Sequence, residues 1–401
     1  MKNFEEKARA YALKNAISYK GKANSGAVIS ALFNEGLDKK DLKEKAKEIN
    51  LIVAEVNKLS LEEQEIEFAK VVDFVSSRKI REGLPELPHA EEGKIVMRFA
   101  PSPSGPMHIG HAITASISYL FCKEYDGKFY FRIEDTNPEN IYPPAYEMLK
   151  DEADWLFEKK CEFVVQSNNM KNYYKKAEEL IKRGFAYVCI CSQEDFKKLA
   201  DKKISCPCRD LDRNEHLKRW KKMLDKKGFK EGEAVLRFRT PEGMKHPNPA
   251  MRDFPLARIN LTSHPLQKKK YRVWPLMNLA VAVDDIDEKM THTIRAKDHR
   301  DNAKRQELIF KALGHEPPWT GFLGRYHFTD LTLSASQFRK DVESKKYSGW
   351  DDPKLPTIAS IKKQGYKPEA FWKLAEKRGI SEADKKISKK EFFQLLKTYS
   401  K

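Results

Sequence analysis

A chain of 401 residues with 18 Gly and 20 Pro, 40% hydrophobic and 34% charged, is too long for one compact domain and too apolar to be disordered. Its 76 Lys and Arg outnumber 59 Asp and Glu by 17, a surplus that gathers polyanions, so nucleic acid, nucleotides or anionic lipid are the partners to expect. No window approaches the roughly 18 consecutive apolar residues of a membrane span, and the start MKNFEEKARAYALKN mixes acids with its bases, unlike a signal or transit peptide, which predicts a cytoplasmic chain without membrane contact.

In residues 1 to 92 apolar positions recur at helical spacing (Leu42, Ala46, Ile49; Ile52, Val56, Leu59) between Gly21, Gly26 and Gly36, which predicts a helical domain. The stretch GLPELPHAEEG (83 to 93), with its Pro and Gly and no periodicity, reads as a linker. Ile95 to Phe99 then reads as a buried strand, followed by the loop APSPSGPMHIGH, a helix with Ile113, Ile117, Leu120 and Phe121 on one face, and a strand from Phe129 to Ile133. That order opens a βαβ unit, whose ligand sits beyond the carboxyl ends of its strands. Helical patterns follow around 144 to 158 and 171 to 183.

Between about 186 and 272 the rhythm breaks into short strands (186 to 190 and 234 to 239), a cysteine cluster and a basic helix, the signature of an insertion. Cys189, Cys191, Cys206 and Cys208 form C-x-C, fourteen intervening residues, then C-x-C, while Cys122 and Cys161 stand apart. Two knuckles in that order suit a tetrahedral structural Zn²⁺ in a reducing compartment. Residues 197 to 230 hold 13 basic and 5 acidic side chains. Strands at 279 to 283 and 290 to 295, a helix ending at Gly314 and Lys-rich helices over 352 to 398 complete the pattern.

The string RFAPSPSGPMHIGH sets His108 and His111 across Gly110 at a helix start, where unpaired N–H groups, the helix dipole and imidazole donors suit a phosphate. With HIGH intact at 108 to 111, the chain resembles the class I aminoacyl-tRNA synthetases. RFAPSPSG (98 to 105), FRIEDTNPE (131 to 139), VDD (283 to 285), THTIRAKDHRDN (291 to 302) and GWDDP (349 to 353) are similar to glutamyl-tRNA synthetases over roughly 94 to 380, and ALKNAISYKGKANSGAV (12 to 28) to the helical extension of their archaeal type.

The resemblance implies a substrate pocket for L-glutamate, in which the guanidinium forks of Arg98 and Arg295 hold carboxylates, with Ser102 and Glu134 beside them, Glu134 on the substrate ammonium. Met277 stands where the family has a pocket Tyr, and Asn278 where the archaeal type has Asp, so a phenol hydrogen bond that would aid discrimination is missing. The second ATP motif, KMSKS in its usual form, is here LTLSASQFRK (331 to 340), with Gln337 in the lysine's place. A neutral amide supplies less field at the phosphates, and one lost contact to the transition state costs roughly 2.7 to 4 kcal/mol. Arg339 and Lys340 are the candidates to restore the charge; Ser334 and Ser336 join His108, Gly110 and His111 around ATP and Mg²⁺. The basic helix (Lys218, Arg219, Lys221, Lys222) and Arg209 make a track for the tRNA acceptor stem, with phosphate contacts setting register.

The expected architecture is therefore α/β. It comprises an N-terminal helical extension (1–92), a Rossmann-like parallel sheet in two halves (93–185 and 273–327), an inserted zinc-containing acceptor-binding domain (186–272), and a KMSKS-like loop with a helical stem-contact region (328–401). The expected function is glutamate–tRNA ligation through a glutamyl adenylate, in a manner dependent on bound tRNA. No pattern for the family's anticodon-reading β-barrel is present, which leaves a truncated chain, a barrel on a separate subunit, or an enzyme indifferent to the anticodon; the first two are preferred. Charging of tRNA for glutamine is left open. So are two other readings, a paralogue that glutamylates a base within tRNA and an inactive tRNA-binding or assembly protein.

Overall fold

The computed structural model describes residues 3–38, 40–75 and 83–400, the side chain of Ser336 excepted. Contacts divide the chain into two units, Met1–Arg81 and Glu82–Lys401. In the first, α1 (Phe4–Ser18) packs against α2 (Ser25–Asn34), α3 (Leu42–Val56) and α4 (Leu61–Val71). The helical spacing noted above buries Ile49, Ile52 and Val56 with Leu13, Val28 and Leu32. Asn24 caps α2 and Ser60 forms a reciprocal capping box with Glu63 at α4, each cap contributing about 1 kcal/mol. The buried Gln64 side chain donates to the carbonyls of Gly21, Val56 and Leu59, tying α4 to the turns beneath it.

The second unit opens with the irregular stretch its Pro and Gly predict, yet that stretch is anchored. Leu87 is buried in the core, and His292 Nε2 lies 2.8 Å from the Pro88 carbonyl. There follow β1 (Val96–Phe99), α5 (Ile109–Glu124), β2 (Lys128–Ile133), α6 (Ala145–Leu156), β3 (Glu162–Val165) and α7 (Met170–Arg183). The strands form a parallel sheet in the order β1-β2-β3, with Arg98 opposite Tyr130 and Phe131 opposite Phe163. The apolar face of α5 buries Ile113, Ile117 and Phe121 against this sheet.

Residues 186–275 contain β4 (Ala186–Cys189), α8 (Gln193–Asp201), α9 (Arg213–Leu224), β5 (Val235–Phe238), β6 (Pro255–Ile259) and, just past the expected end of the insertion at 272, β7 (Val273–Pro275). The four strands are antiparallel in sequence order, and Trp220 and Trp274 are almost fully buried in the core they share with α7. Next come α10 (Met277–Asp287), β8 (His292–Ala296), α11 (Arg300–Leu313) and β9 (Trp319–Leu323), with β8 and β9 parallel.

The strand expected at 279 to 283 is instead the middle of α10. Leu279 through Val283 are all buried, so the helix is covered all round and lacks the periodicity that separates a helix from a buried strand. Thr291, just before β8, ties that strand to β1: its N–H donates to the Val96 carbonyl at 3.1 Å and its hydroxyl accepts from the Val96 N–H at 2.9 Å.

The remainder comprises β10 (Tyr326–Phe328), α12 (Ala335–Glu343), α13 (Ile358–Lys363), α14 (Pro368–Arg378), β11 (Lys385–Ile387) and α15 (Lys389–Tyr399). Phe371 and Leu374 of α14 and Phe392 and Leu396 of α15 belong to the same core as β1, β2 and α5. No helix among the described residues is long and apolar enough to cross a membrane.

Candidate active site

A cavity of about 820 Å³ lies beyond the ends of β1 and β8, walled by the loop before α5, the start of α10 and the turn from β9 to β10. Arg98, Ser102, Glu134, Met277 and Arg295 line it together with His108, Gly110 and His111. The opening of an α/β sheet at strand ends is where such folds bind ligands.

At one end, the His108 and His111 rings stack with centroids 3.7 Å apart. His108 is the N-cap of α5, and its Nδ1 accepts from the N–H groups of Gly110 and His111. The Ile109 N–H donates to the Pro356 carbonyl at 3.0 Å, while Ile358 N–H donates to the Met107 carbonyl at 2.9 Å. The first-turn donors expected to await phosphate are thus already used. What the helix start offers is its dipole and the Nε2–H of His108, the tautomer its capping role requires. Burial lowers the pKa of both imidazoles, that of His111 to about 4, so both are neutral at pH 7. Gly110 serves packing: a Cβ there would lie 3.1 Å from the His108 ring and 3.3 Å from Leu333. Behind the loop, the buried Glu152 carboxylate accepts from the Met107 N–H at 2.6 Å. Burial pushes its pKa to about 8.

At the other end, charges lock together. Arg98 donates through Nε and Nη2 to both oxygens of Asp285, at 2.6 and 2.9 Å. Arg132, almost fully buried, donates to Asp285 at 2.7 Å and Glu288 at 2.6 Å, and Arg295 Nη2 lies 3.6 Å from Asp285. Asp284 accepts from Gln166, Asn169 and Tyr173. Burial alone would raise the Asp285 carboxyl, but Arg98 and Arg132 hold it well below the usual range. Burial raises Glu134, with Arg132 and Arg98 partly offsetting it, and raises Glu288 to about 7. Burial and the neighbouring Arg98 lower Arg295 to about 9, leaving it charged at neutral pH. The Arg98 fork expected for substrate therefore faces Asp285, and its Nη1 is the nitrogen outside that pair. Sequence reasoning placed Asp285 within VDD without giving it this task and passed over Arg132; acids inside the apolar run of α10 were the available signal.

The second loop reaches these walls only with its first three residues. Leu331, Thr332 and Leu333 line the cavity, but Ser334 caps α12, Gln337 donates to Asp341 at 2.9 Å, and Arg339 pairs with Glu343 at 2.7 Å and stacks on Tyr142. Lys340 is exposed, and the Ser336 side chain lies outside the described residues. Arg325 and Arg378, unnoticed in the sequence, line the cavity instead.

In the insertion the four Sγ atoms of Cys189, Cys191, Cys206 and Cys208 lie within 4.8 Å of one another, with 3.7 Å between Cys189 and Cys206 and 3.9 Å between Cys191 and Cys208. A tetrahedral Zn²⁺ with Zn–S bonds near 2.3 Å has edges of about 3.8 Å, so the thiols fit it. Arg209 and Arg219, expected on a tRNA track, are engaged internally: Arg209 with Asp253 and the Thr240 carbonyl, Arg219 with Glu215 and Cys208. Lys218, Lys221 and Lys222 are exposed.

The family described as "tRNA synthetases class I (E and Q), catalytic domain" matches residues 94–398. The chain is 42% identical to the glutamate–tRNA ligase of Methanothermobacter marburgensis, covering 98% of this chain and 70% of that protein. It is 44% identical to the one of Pyrococcus furiosus, covering 96% and 68%. Among solved structures it is similar to the glutamate–tRNA synthetase of Elizabethkingia anophelis, with a TM-score of 0.55 and 20% identity over 76% of this chain and 70% of that one, a likeness of fold.

Proposed function

Because the chain belongs to the class I tRNA synthetases for glutamate and glutamine, we propose that its cavity joins glutamate to ATP and then passes it to tRNA. The activity is that of a glutamate–tRNA ligase, with tRNA and glutamate as substrates. The observation that carries the residue assignments is that Arg98, Arg295 and Glu134 share one hollow with the stacked imidazoles.

In the first step an oxygen of the glutamate α-carboxylate attacks the α-phosphorus of ATP, and the bond to the bridging oxygen breaks to release pyrophosphate. In the second, the terminal ribose hydroxyl of tRNA attacks the acyl carbon and AMP leaves. Arg295, with Arg98 Nη1, positions the substrate carboxylates, and Asp285 keeps both guanidiniums in place. Glu134 receives the ammonium. His108 and His111 act as neutral hydrogen-bond donors to phosphate oxygens, and a bound triphosphate would favour their protonation. Glu134 is the only carboxylate among the described cavity-lining residues, so Mg²⁺ would be carried by the triphosphate. When bound, it supplies positive charge at the phosphates.

We further assign residues 93–185 and 273–327 to the two halves of the nucleotide fold and 186–272 to an acceptor-stem insertion. Residues 328–401 would contact the tRNA stem and 1–92 form an extension. Structural Zn²⁺ on the four cysteines would brace the insertion, with the exposed lysines of α9 on tRNA phosphates. Charging of tRNA for glutamine and action with a separate anticodon-reading barrel are extensions of this proposal, tested by adding each to the assay below.

The test is glutamate-dependent exchange of pyrophosphate into ATP with tRNA present, followed by localisation of the attached glutamate. Exchange with glutamate on the terminal ribose is expected. No exchange and no charged tRNA under any of these conditions would refute the proposal, and glutamate on an internal base would redirect it.

A further inference from the structure

A chain of side-chain amides ends at the cavity wall with an atom that has no partner. Gln306 of α11 is 3% exposed, its Nε2 donates to Asn278 Oδ1 at 3.2 Å, and its Oε1 is buried without a hydrogen bond. The orientation of these amides follows from the far end of the chain. Arg305 can only donate, and its Nη1 donates to Asn302 Oδ1 at 3.2 Å. That oxygen therefore also receives Asn278 Nδ2, at 3.3 Å, which turns Asn278 Oδ1 toward Gln306 and leaves an acceptor, not a donor, at the end of the series. A buried carbonyl oxygen left so is costly unless something arrives to use it.

Two cavities meet at this point. Gln306 and Arg295 are the residues common to the walls of the large cavity and of an adjoining one of about 340 Å³ between α11 and β9. Arg295 Nε is likewise buried and unpartnered. One donor and one acceptor, both unsatisfied, thus belong to the two residues shared by the walls of both cavities.

We propose that Gln306 is an amino-acid-binding residue, its Oε1 accepting a hydrogen bond from the substrate's α-ammonium while Arg295 Nε donates to a carboxylate. This rests on glutamate being the amino acid. Both carboxylates of glutamate are acceptors at neutral pH, so the ammonium is its only group that can satisfy Oε1. An ammonium has three N–H bonds and needs more than the carboxylate of Glu134, which lines the same cavity. Asn278, which stands where the archaeal type has Asp, becomes a positioning residue that holds the Gln306 amide the right way round.

The test compares calorimetric binding of glutamate with that of glutarate, which has both carboxylates and no amine, to the full chain; neither measurement needs turnover. Gln306→Met, similar in size, is expected to weaken glutamate about tenfold and leave glutarate within twofold. Gln306→Glu, which retains an acceptor, should recover most of the loss, and Asn278→Ala should show a smaller loss confined to glutamate. Thermal unfolding checks that each variant is folded. Unchanged glutamate affinity in Gln306→Met would place the oxygen toward the smaller cavity and overturn the inference. Equal weakening of both ligands would reduce Gln306 to packing and overturn the inference as well. Absent exchange activity in the unaltered protein would count against the ligase reading, while the binding comparison would still decide the role of Gln306.

Discussion

The two ends of the cavity hold charge in opposite ways. Around Asp285, Arg98 and Arg132 are hydrogen-bonded to carboxylates and Arg295 lies 3.6 Å away, so that three guanidiniums and their acids compensate one another out of water. Around His108 and His111 the rings are neutral, the helix start is capped from within, and in the loop expected to bring a cation Gln337 and Arg339 pair with Asp341 and Glu343 of their own helix. In the proposed reading the Asp285 end, which takes the amino acid, is built before its ligand comes. The imidazole end, which takes the phosphates, gains most of its charge with the ligand, so its electrostatic contribution depends on what arrives.

The largest effect is expected from breaking the compensated end. Asp285→Ala leaves Arg98 and Arg132 buried without their shared partner, and losing one member of a buried ion pair costs about 3 to 5 kcal/mol. Denaturant unfolding measures this, and a loss below 1 kcal/mol would show that Glu288 and Asp284 suffice alone. Next comes the neutral end. His111→Ala, and His108→Asn with its cap acceptor retained, should each slow pyrophosphate exchange by the roughly 2.7 to 4 kcal/mol typical of a lost transition-state donor, a hundredfold or more. Glutamate affinity should barely change. Equal weakening of glutamate binding would mean that the two ends are one coupled site.

How much of this was legible in the sequence follows from the same contrast. The strands β1 and β2, helices α5, α6, α7 and α11, and the thiol cluster each carry a local signature in period, cap, glycine or spacing. The middle of α10 does not, because burial on every side removes its periodicity. Arg98 and Arg295 are recognisable as pocket residues, but the use of the Arg98 fork by Asp285, 187 residues away, is a product of tertiary packing. The second loop shows the reverse limit. Its resemblance to an ATP motif concerns residue order, whereas the i,i+4 partners Asp341 and Glu343 decide where Gln337 and Arg339 point.

A pH-dependent effect tests the wall behind the imidazoles. Glu152 has its pKa raised by burial from the ordinary 4.5 to about 8. Below the lower value both folded and unfolded chains carry the proton, and its contribution to stability is fully present. Between the two values the unfolded chain releases the proton while the folded chain keeps it, so stability falls as pH rises, by up to about 1.4 kcal/mol per unit. Above about 8 the loss is complete. Glu152→Gln has no proton to release, so its urea midpoints from pH 5 to 8 should fall less than those of the unaltered chain. Parallel slopes would show that Glu152 is ionised where it meets Met107, and that the loop rests on a charged hydrogen bond.

The smallest effect is expected at Gln337, and it sharpens the contrast most. Its side chain is exposed and spends its amide on Asp341 one turn away. Removing such a contact on an exposed helix typically changes stability by less than about 0.5 kcal/mol. Since this side chain also does not line the cavity, Gln337→Ala should leave exchange within twofold. Gln337→Lys should do little more in this arrangement, because a lysine there would meet the Asp341 carboxylate as an i,i+4 pair. A tenfold gain with Lys, or a tenfold loss with Ala, would require α12 to swing over the triphosphate during turnover. The neutral end would then acquire its missing cation by motion.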